Sequence, residues 1–244
     1  MKRLLILGGT GDAIELAAQV MGFPNLEIIT SLAGRTRNPA VPSGDVRVGR
    51  FGGATGLSDY LREQEIDLLI DATHPFAAQI SWNAAAAAID AGIPHLILLR
   101  PSWEKVAGDQ WIEVESMEVA AKVIPGLAQR VFLTIGRQQL APFVPLVETW
   151  FLIRSIDPPD IFISNGQILL DRGPFSLEQE RQLLREYQIE AIVSKNSGGD
   201  ATYAKIIAAR ELEIPVVMVQ RPAVPLGERA IDVASAVSWV TKRL

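Results

Sequence analysis

The chain has 244 residues, of which 48% are hydrophobic and 21% are charged, and its formal net charge is −5. These values are typical of one large or two small globular domains, and the acidic balance argues against a general nucleic-acid or membrane binder. The chain has no cysteine and two histidines, which excludes disulfides, thiolate chemistry and a histidine-rich metal site. We therefore predict no metal site.

The first residues resemble a signal peptide only superficially. Their apolar run covers residues 4–7 and ends at two glycines, which is too short for an export signal. No apolar run approaches the ~18–20 residues of a membrane span. The sequence therefore predicts a cytoplasmic protein.

Short apolar runs alternate with amphipathic stretches along the chain. The predicted strands are residues 4–7, 27–30, 46–48, 68–71, 95–99, 131–135, 150–154, 191–194 and 216–219. The predicted helices are residues 13–21, 57–64, 77–91, 116–128, 177–187, 202–212 and 231–242. This alternation is typical of an α/β fold, in which helices cover both faces of a parallel sheet.

An internal repeat indicates two such units. "GIPHLILLRP" ends at Pro101 and "EIPVVMVQRP" ends at Pro222, and the same shift places Thr73-His74 on Ser194-Lys195. The alternative is that any two strand–helix–strand segments look somewhat alike. We predict two Rossmann-like parallel-sheet domains that face a central cleft, residues 1–110 and 111–244, with the boundary at about 103–130.

The first predicted strand runs into a glycine turn, "LLILGGTGDAIELA". Gly8, Gly9 and Gly11 let the backbone approach a pyrophosphate, and the following helix offers its free N–H groups. The pattern departs from strict G-x-G-x-x-G, because Ile14 stands where a glycine is expected. The interpretations are a dinucleotide site or a plain tight turn.

The residues after the second strand bear on the choice of dinucleotide. An NAD site usually has an acidic residue about 20 positions beyond the glycines, but here that place holds Thr30-Ser31, with Arg35 beyond. A hydroxyl and a guanidinium suit a 2′-phosphate, which favours NADPH over NADH. Arg35 and Arg37 in a solvated loop are the alternative. In "VGRFGG", Gly52 either lines the nucleotide or belongs to a flexible turn.

"DATHPFA" places His74 directly after a strand, where ligands bind in open parallel sheets. An imidazole there can bind a ligand or supply a proton, or it can be a hydrogen-bonded structural residue. His95 stands at a strand start and is predicted to be structural.

"SKNSGGDATYAK" has the same arrangement in the second half of the chain. Lys195 supplies charge, and the small residues after it expose backbone N–H groups, which suits an anion. A capped loop with a solvated lysine is the alternative. Arg137 and Arg172 also follow apolar runs, and several such arginines would suit a polycarboxylate substrate.

Many ordered blocks together resemble the precorrin-6A reductase family of cobalamin biosynthesis. The resemblance covers nearly the whole chain, and "DATHPFA" and "KNSGG" are its most specific parts. The other blocks are "LGGTGDA", "SLAGR", "GRFGG", "LLRPSW", "LTIGRQ", "DRGPFS" and "IPVVMVQRP".

The resemblance implies an NADPH-dependent oxidoreductase that reduces a carbon–carbon double bond of precorrin-6A, or of its cobalt-bound form, to give the 6B form. It implies a tetrapyrrole polycarboxylate as partner and leaves the oligomeric state open. The cofactor residues it implies are Gly8, Gly9, Thr10, Gly11, Ser31, Arg35, Gly52, Thr73 and His74. The substrate residues are Arg137, Gln138, Arg172, Lys195, Asn196, Ser197, Gly198 and Gly199.

The proton donor stays open. His74 and Lys195 are the catalytic candidates, and solvent is the alternative. Two rival functions also stay open: a reductase of another acidic conjugated substrate, and a non-catalytic NADP sensor. A sensor would need no second anion-binding loop, so "SKNSGG" argues against it.

Overall fold

The structure, a computed structural model, describes residues 1–34 and 42–244. Arg35 and Arg37 lie outside the described residues. All strand pairings between the elements are parallel. The strands are β1 (Lys2–Leu7), β2 (Leu26–Leu32), β3 (Asp45–Val48), β4 (Leu68–Asp71), β5 (His95–Leu98), β6 (Trp111–Val114), β7 (Arg130–Leu133), β8 (Trp150–Ser155), β9 (Gly166–Leu170), β10 (Ala191–Lys195), β11 (Val216–Val219) and β12 (Glu228–Ala230).

Helices follow most of the strands and begin at side-chain caps in several cases. Thr10, Ser116, Ser176 and Asp232 each accept a hydrogen bond from a first-turn N–H group, which satisfies a donor that the helix itself leaves unpaired. The helices are α1 (Gly11–Val20), α2 (Ala54–Glu63), α3 (Ala78–Ala91), α4 (Met117–Val123), α5 (Leu177–Glu186), α6 (Ala204–Glu211) and α7 (Val233–Thr241).

The first sheet has six strands in the order β12-β5-β4-β1-β2-β3. Residues 4–7 of β1 and residues 68–70 of β4, its central strands, are apolar and buried, as expected when helices cover both faces of a parallel sheet. The chain order reverses between β1 and β4. In open α/β sheets, ligands bind beyond the carboxyl ends of the strands at such a switch point.

The second sheet has the order β6-β11-β10-β7-β8-β9. It matches the first sheet strand for strand, with β7 and β10 at the centre in place of β1 and β4. The predicted α/β fold with two parallel sheets is confirmed. β5 and β11, the strands of the two "IP…RP" segments, occupy the same position in the two sheets.

The division of the chain differs from the predicted one. One compact unit comprises Met1–Pro101 and Pro222–Leu244, and the other comprises Ser102–Arg221. The prediction that residues 222–244 belong to the second domain is wrong, because β12 pairs with β5 and completes the first sheet. The two Arg-Pro pairs of the repeat stand at the two points where the chain changes units.

Each unit has apolar clusters on its sheet. In the first unit, Leu4, Ile6 and Leu96 pack with Trp239 and Val240 of α7. In the second, Phe132, Ile192 and Met218 share a cluster with Trp103. Within residues 1–34 and 42–244, no helix is long and apolar enough to cross a membrane, and no group of acidic, histidine or cysteine side chains could hold a metal ion.

Candidate functional site

The turn after β1 brings backbone rather than side chains to the switch point of the first sheet. The N–H of Gly8 donates to the carbonyl of Ser31 at 2.9 Å. A Cβ built on Gly8 would lie 3.0 Å from Thr30 Cγ2, which is tighter than ordinary contact, and Gly9 has a φ of +108°. The turn therefore has its present path because these residues are glycines.

Thr10 fixes the start of α1. Its hydroxyl accepts a bond from the N–H of Ala13 at 3.1 Å and donates to the carbonyl of Ala72 at 2.7 Å. The hydroxyl thus caps the helix and ties it to β4, and α1 begins at Gly11. The backbone N–H groups of the first turn are the groups that would meet an anion here.

A cavity of about 400 Å³ lies beyond the carboxyl ends of β1, β2, β3 and β4. This volume is in the range of small-molecule sites. Four of the predicted cofactor residues line it together: Gly8, Ser31, Gly52 and Thr73. Gly9, Thr10, Gly11 and His74 are not among its lining residues, and Arg35 lies outside the described part of the chain.

Side chains that the sequence analysis did not select also line the cavity, among them Arg50, Phe51 and Asn83. Arg50 and Phe51 belong to the "GRFGG" block, which was interpreted through its glycines alone. Asn83 lies on α3 among alanines, and no local pattern distinguishes it. The cavity therefore combines a glycine backbone, two hydroxyls, one guanidinium and one amide with apolar side chains.

Asp71 organises the loop after β4. Its Oδ1 accepts bonds from both the N–H of Thr73 at 3.0 Å and the hydroxyl of Thr73 at 2.7 Å. Asp71 is 2% exposed, and its other oxygen has no hydrogen-bond partner within the described chain. The buried carboxylate thus orients Thr73 at the cavity wall.

His74 is held at the start of the segment that leads to α3. Its Nδ1 accepts the N–H of Phe76 at 3.2 Å, and its carbonyl accepts the N–H of Ala77 at 2.7 Å. A neutral ring in this arrangement carries its proton on Nε2. His95 begins β5, where burial lowers its pKa and the charge of Asp71 opposes that shift.

The predicted substrate residues follow the carboxyl ends of strands in the second sheet. Arg137 and Gln138 come after β7, and Arg137 lies 3.8 Å from the carboxylate of Asp160. Arg172 follows β9, and Lys195 is the last residue of β10. The predicted cations and the 196–199 loop therefore share one edge of this sheet.

The side chain of Asn196 is hydrogen-bonded within the second unit. Its side chain accepts the N–H of Trp103 at 2.8 Å and donates to the carbonyl of Trp103 at 3.1 Å. Its own N–H donates to the carbonyl of Val219, and its carbonyl accepts Nε of Arg221 at 2.7 Å. Asn196 thus joins the segments that begin and end the second unit, and its predicted substrate contact stays a prediction.

Trp103 also holds the other end of the 196–199 loop. The indole of Trp103 donates to the carbonyl of Gly199 at 2.8 Å. Gly198 and Gly199 have φ values of +65° and +73°, a region that favours glycine, and the N–H of Ser197 donates to the carbonyl of Lys195 at 2.7 Å. Trp103, which the sequence analysis quoted only as the last residue of the "LLRPSW" block and gave no role, is the anchor of the loop.

We expect Asn196→Ala to destabilise the second unit by about 1–3 kcal/mol, because it leaves the buried N–H and C=O of Trp103 unpaired. Chemical denaturation monitored by tryptophan fluorescence measures this. Asn165→Ala is the matched control, since that amide makes one exposed bond of 3.4 Å. Equal stability of the two variants would contradict this role of Asn196.

A buried group of charges lies near this loop. Arg154 and Glu180 form an ion pair of 2.7 Å, with side chains 7% and 0% exposed. Burial lowers the pKa of Lys205 to about 7, against the attraction of Glu180 and with the repulsion of Arg154 and Lys195. The ammonium of Lys205 donates to the carbonyl of Thr202 at 2.7 Å. The sequence feature that could have indicated this buried group is Arg154, a charged residue within the mostly apolar strand β8.

Comparison with known proteins decides the family. The sequence profile described as "Precorrin-6x reductase CbiJ/CobK" matches residues 3–241. The chain belongs to this family. The "Precorrin-6A reductase" of Rhodococcus erythropolis is 50% identical over 242 residues, which cover 98% of each chain. The predicted resemblance is thereby confirmed.

A solved structure and a more distant relative complete the comparison. The structure titled "CobK precorrin-6A reductase" has a TM-score of 0.93 and 39% identity, and the match covers 99% of this chain and 97% of that one. The "Cobalt-precorrin-6A reductase" of Priestia megaterium is 29% identical, with 92% of each chain covered. The family relationship thus extends over both units.

Proposed function

We propose that this protein is an NADPH-dependent reductase that converts precorrin-6A into its 6B form in the cytoplasm. Membership of the family supports the reaction class. The metal-free substrate is favoured because the relative named for it is 50% identical, against 29% for the one named for the cobalt form. The observation that carries the proposal is the glycine-lined cavity at the switch point of the first sheet.

The first unit fits a dinucleotide. The turn at Gly8 and Gly9 exposes backbone, and the first turn of α1 offers N–H groups to a pyrophosphate. Ser31 stands at the end of β2 where an acidic residue would select NADH. The hydroxyl of Ser31, with Arg50 on the same cavity, suits the 2′-phosphate of NADPH, and Arg35 remains a proposed partner.

The second unit fits a polycarboxylate. Arg137, Arg172 and Lys195 follow three strands of one sheet edge, so their charges can meet several carboxylates of one macrocycle. The loop at Gly198 and Gly199 adds backbone N–H groups. Asn196 contributes by holding this loop in place.

NADPH, when bound, supplies a hydride to one carbon of the macrocycle, and the neighbouring carbon takes up a proton. The chain's own contribution is to hold both molecules in register, since positioning alone accounts for a large part of such rate enhancements. His74 and Lys195 are the proposed proton donors. Solvent is the competing source.

Titration of the protein with NADPH and NADH, followed by addition of precorrin-6A or its cobalt form, tests the proposal. We expect preferential NADPH binding and loss of the reduced-nicotinamide absorbance with metal-free precorrin-6A. Binding without oxidation would indicate another acidic substrate or an NADP sensor. Failure to bind either dinucleotide would refute the cofactor site.

We expect Ser31→Asp to weaken NADPH binding by roughly 100-fold, because a carboxylate would replace a hydroxyl opposite the 2′-phosphate and repel it. NADH binding should stay within a few-fold of its original value. Equilibrium fluorescence titration gives both constants. Ser31→Ala, which removes the hydroxyl without adding charge, is the matched control and should lose much less.

A further inference from the structure

Arg47 lies outside the cavity and contacts three residues of the cavity wall. Its Nη1 donates to the carbonyl of Gly49 at 2.7 Å, and its Nη2 donates to the carbonyl of Arg50 at 3.0 Å. Its guanidinium carbon lies 3.8 Å from the ring centroid of Phe51. Each of these three contacted residues lines the cavity, whereas Arg47 itself does not.

The same guanidinium reaches the predicted specificity residue. Arg47 and Ser31 are register partners on β3 and β2, and Nη1 lies 3.4 Å from the hydroxyl oxygen of Ser31. Because a guanidinium only donates, it occupies a lone pair of that oxygen and leaves the hydroxyl proton to point elsewhere. The hydroxyl is therefore prepared to donate to an acceptor in the cavity.

The charge of Arg47 is not neutralised locally. In the part of the chain that the structure describes, no carboxylate lies within ion-pair distance of its guanidinium, whose bonds go to two carbonyls and one hydroxyl. Two aromatic rings, those of Phe51 and Tyr60, face it. A fixed positive charge thus stands directly behind the cavity wall.

We infer that Arg47 is a positioning residue that sets the preference for a 2′-phosphorylated ribose, by holding the 49–51 turn and by making Ser31 a donor. This inference rests on the proposed function, since it assigns a determinant of cofactor choice within the same cavity. A residue that merely stabilised the fold would affect phosphorylated and unphosphorylated ligands alike.

The test compares Arg47→Met and Arg47→Lys with the wild type for binding of NADPH, NADH, adenosine 2′,5′-bisphosphate and adenosine 5′-monophosphate. Arg47→Met should reduce the ratio of NADPH to NADH affinity by roughly tenfold. The bisphosphate should lose affinity in parallel with NADPH, and the monophosphate should not. Arg47→Lys, which keeps the charge but not the fork, should retain part of the preference.

Arg62→Met is the matched control, because Arg62 is a half-exposed arginine of the same unit whose side chain pairs with Asp90. Its affinity ratio should equal that of the wild type. An unchanged ratio in Arg47→Met, or equal losses for all four ligands, would overturn the role of Arg47 while leaving the cofactor site intact. A wild type that binds neither dinucleotide would overturn the proposed function as well. Should Arg47→Met fail to fold, the ratio in Arg47→Lys decides the question by itself.

Discussion

Removal of residues 222–244 is expected to unfold the first unit and to leave the second one folded. β12 pairs with β5, and the N–H of Leu99 donates to the carbonyl of Ala230 at 2.9 Å. The buried residues of α7 include Val233, Trp239 and Val240, which share a cluster with β1 and α1. Burial of these three side chains contributes roughly 5–9 kcal/mol, comparable to the total stability of a domain.

Amide hydrogen exchange on the shortened chain distinguishes the two units. Strands β1, β2, β4 and β5 should lose protection, whereas β7, β10 and β11 should keep it. Retained protection in both groups would show that β12 and α7 are dispensable.

A circular permutant provides the matched control for this truncation. The Nζ of Lys2 donates to the carbonyl of Arg243, so the chain ends are neighbours and a short linker can join them. Opening the chain between Pro101 and Ser102 then makes both units continuous in sequence. This permutant keeps every residue and should restore the protection that the truncation loses.

Glu180→Ala is the single substitution with the largest expected effect, a loss of about 3–5 kcal/mol. It leaves the guanidinium of Arg154 buried without its counter-charge, 3.6 Å from the ring of Phe175. It also removes the negative charge of Glu180, which attracts the buried ammonium of Lys205. Urea denaturation gives the free energy of unfolding directly.

Two further variants separate this explanation from a simple loss of volume. Glu211→Gln disrupts the more exposed ion pair that Glu211 of α6 makes with Arg181, a neighbour of Glu180 on α5, and should cost less than about 1 kcal/mol. The double variant Arg154→Met/Glu180→Leu removes both charges of the ion pair and should recover most of the lost stability. A double variant as unstable as Glu180→Ala would show that packing, not the unpaired charge, dominates.

The central elements of the fold could be predicted because their signals are local. β1, β4, β10 and β11 are continuous apolar runs bounded by turn residues, and each was placed within a few residues. β6, β9 and β12 are edge strands that the sequence analysis missed, and β9 and β12 are mostly exposed. Their strand character comes from a neighbour in space, which no local pattern contains.

The residues of the candidate site also divide into those that carry a local sequence signal and those that do not. Gly8, Ser31, Gly52 and Thr73 were predicted because glycine turns and strand ends carry local signals, and they line one cavity. The role of Asn196 could not be predicted, because it depends on Trp103, which is 93 positions away in sequence. The sequence analysis did not select Arg47, because its contact with Ser31 depends on the pairing of β3 with β2, which no local pattern shows.

Because residues 222–244 return to the first sheet, the second unit is complete before the first one during synthesis. When Arg221 has emerged from the ribosome, the second unit has all of its strands, although more than a hundred earlier residues still lack a finished domain. Until β12 and α7 follow, β5 is an open edge and the apolar surface that α7 will cover is exposed, which is the kind of surface that causes aggregation. The unit that begins first is therefore completed last, and we expect its apolar surface to need protection until residues 222–244 have been made.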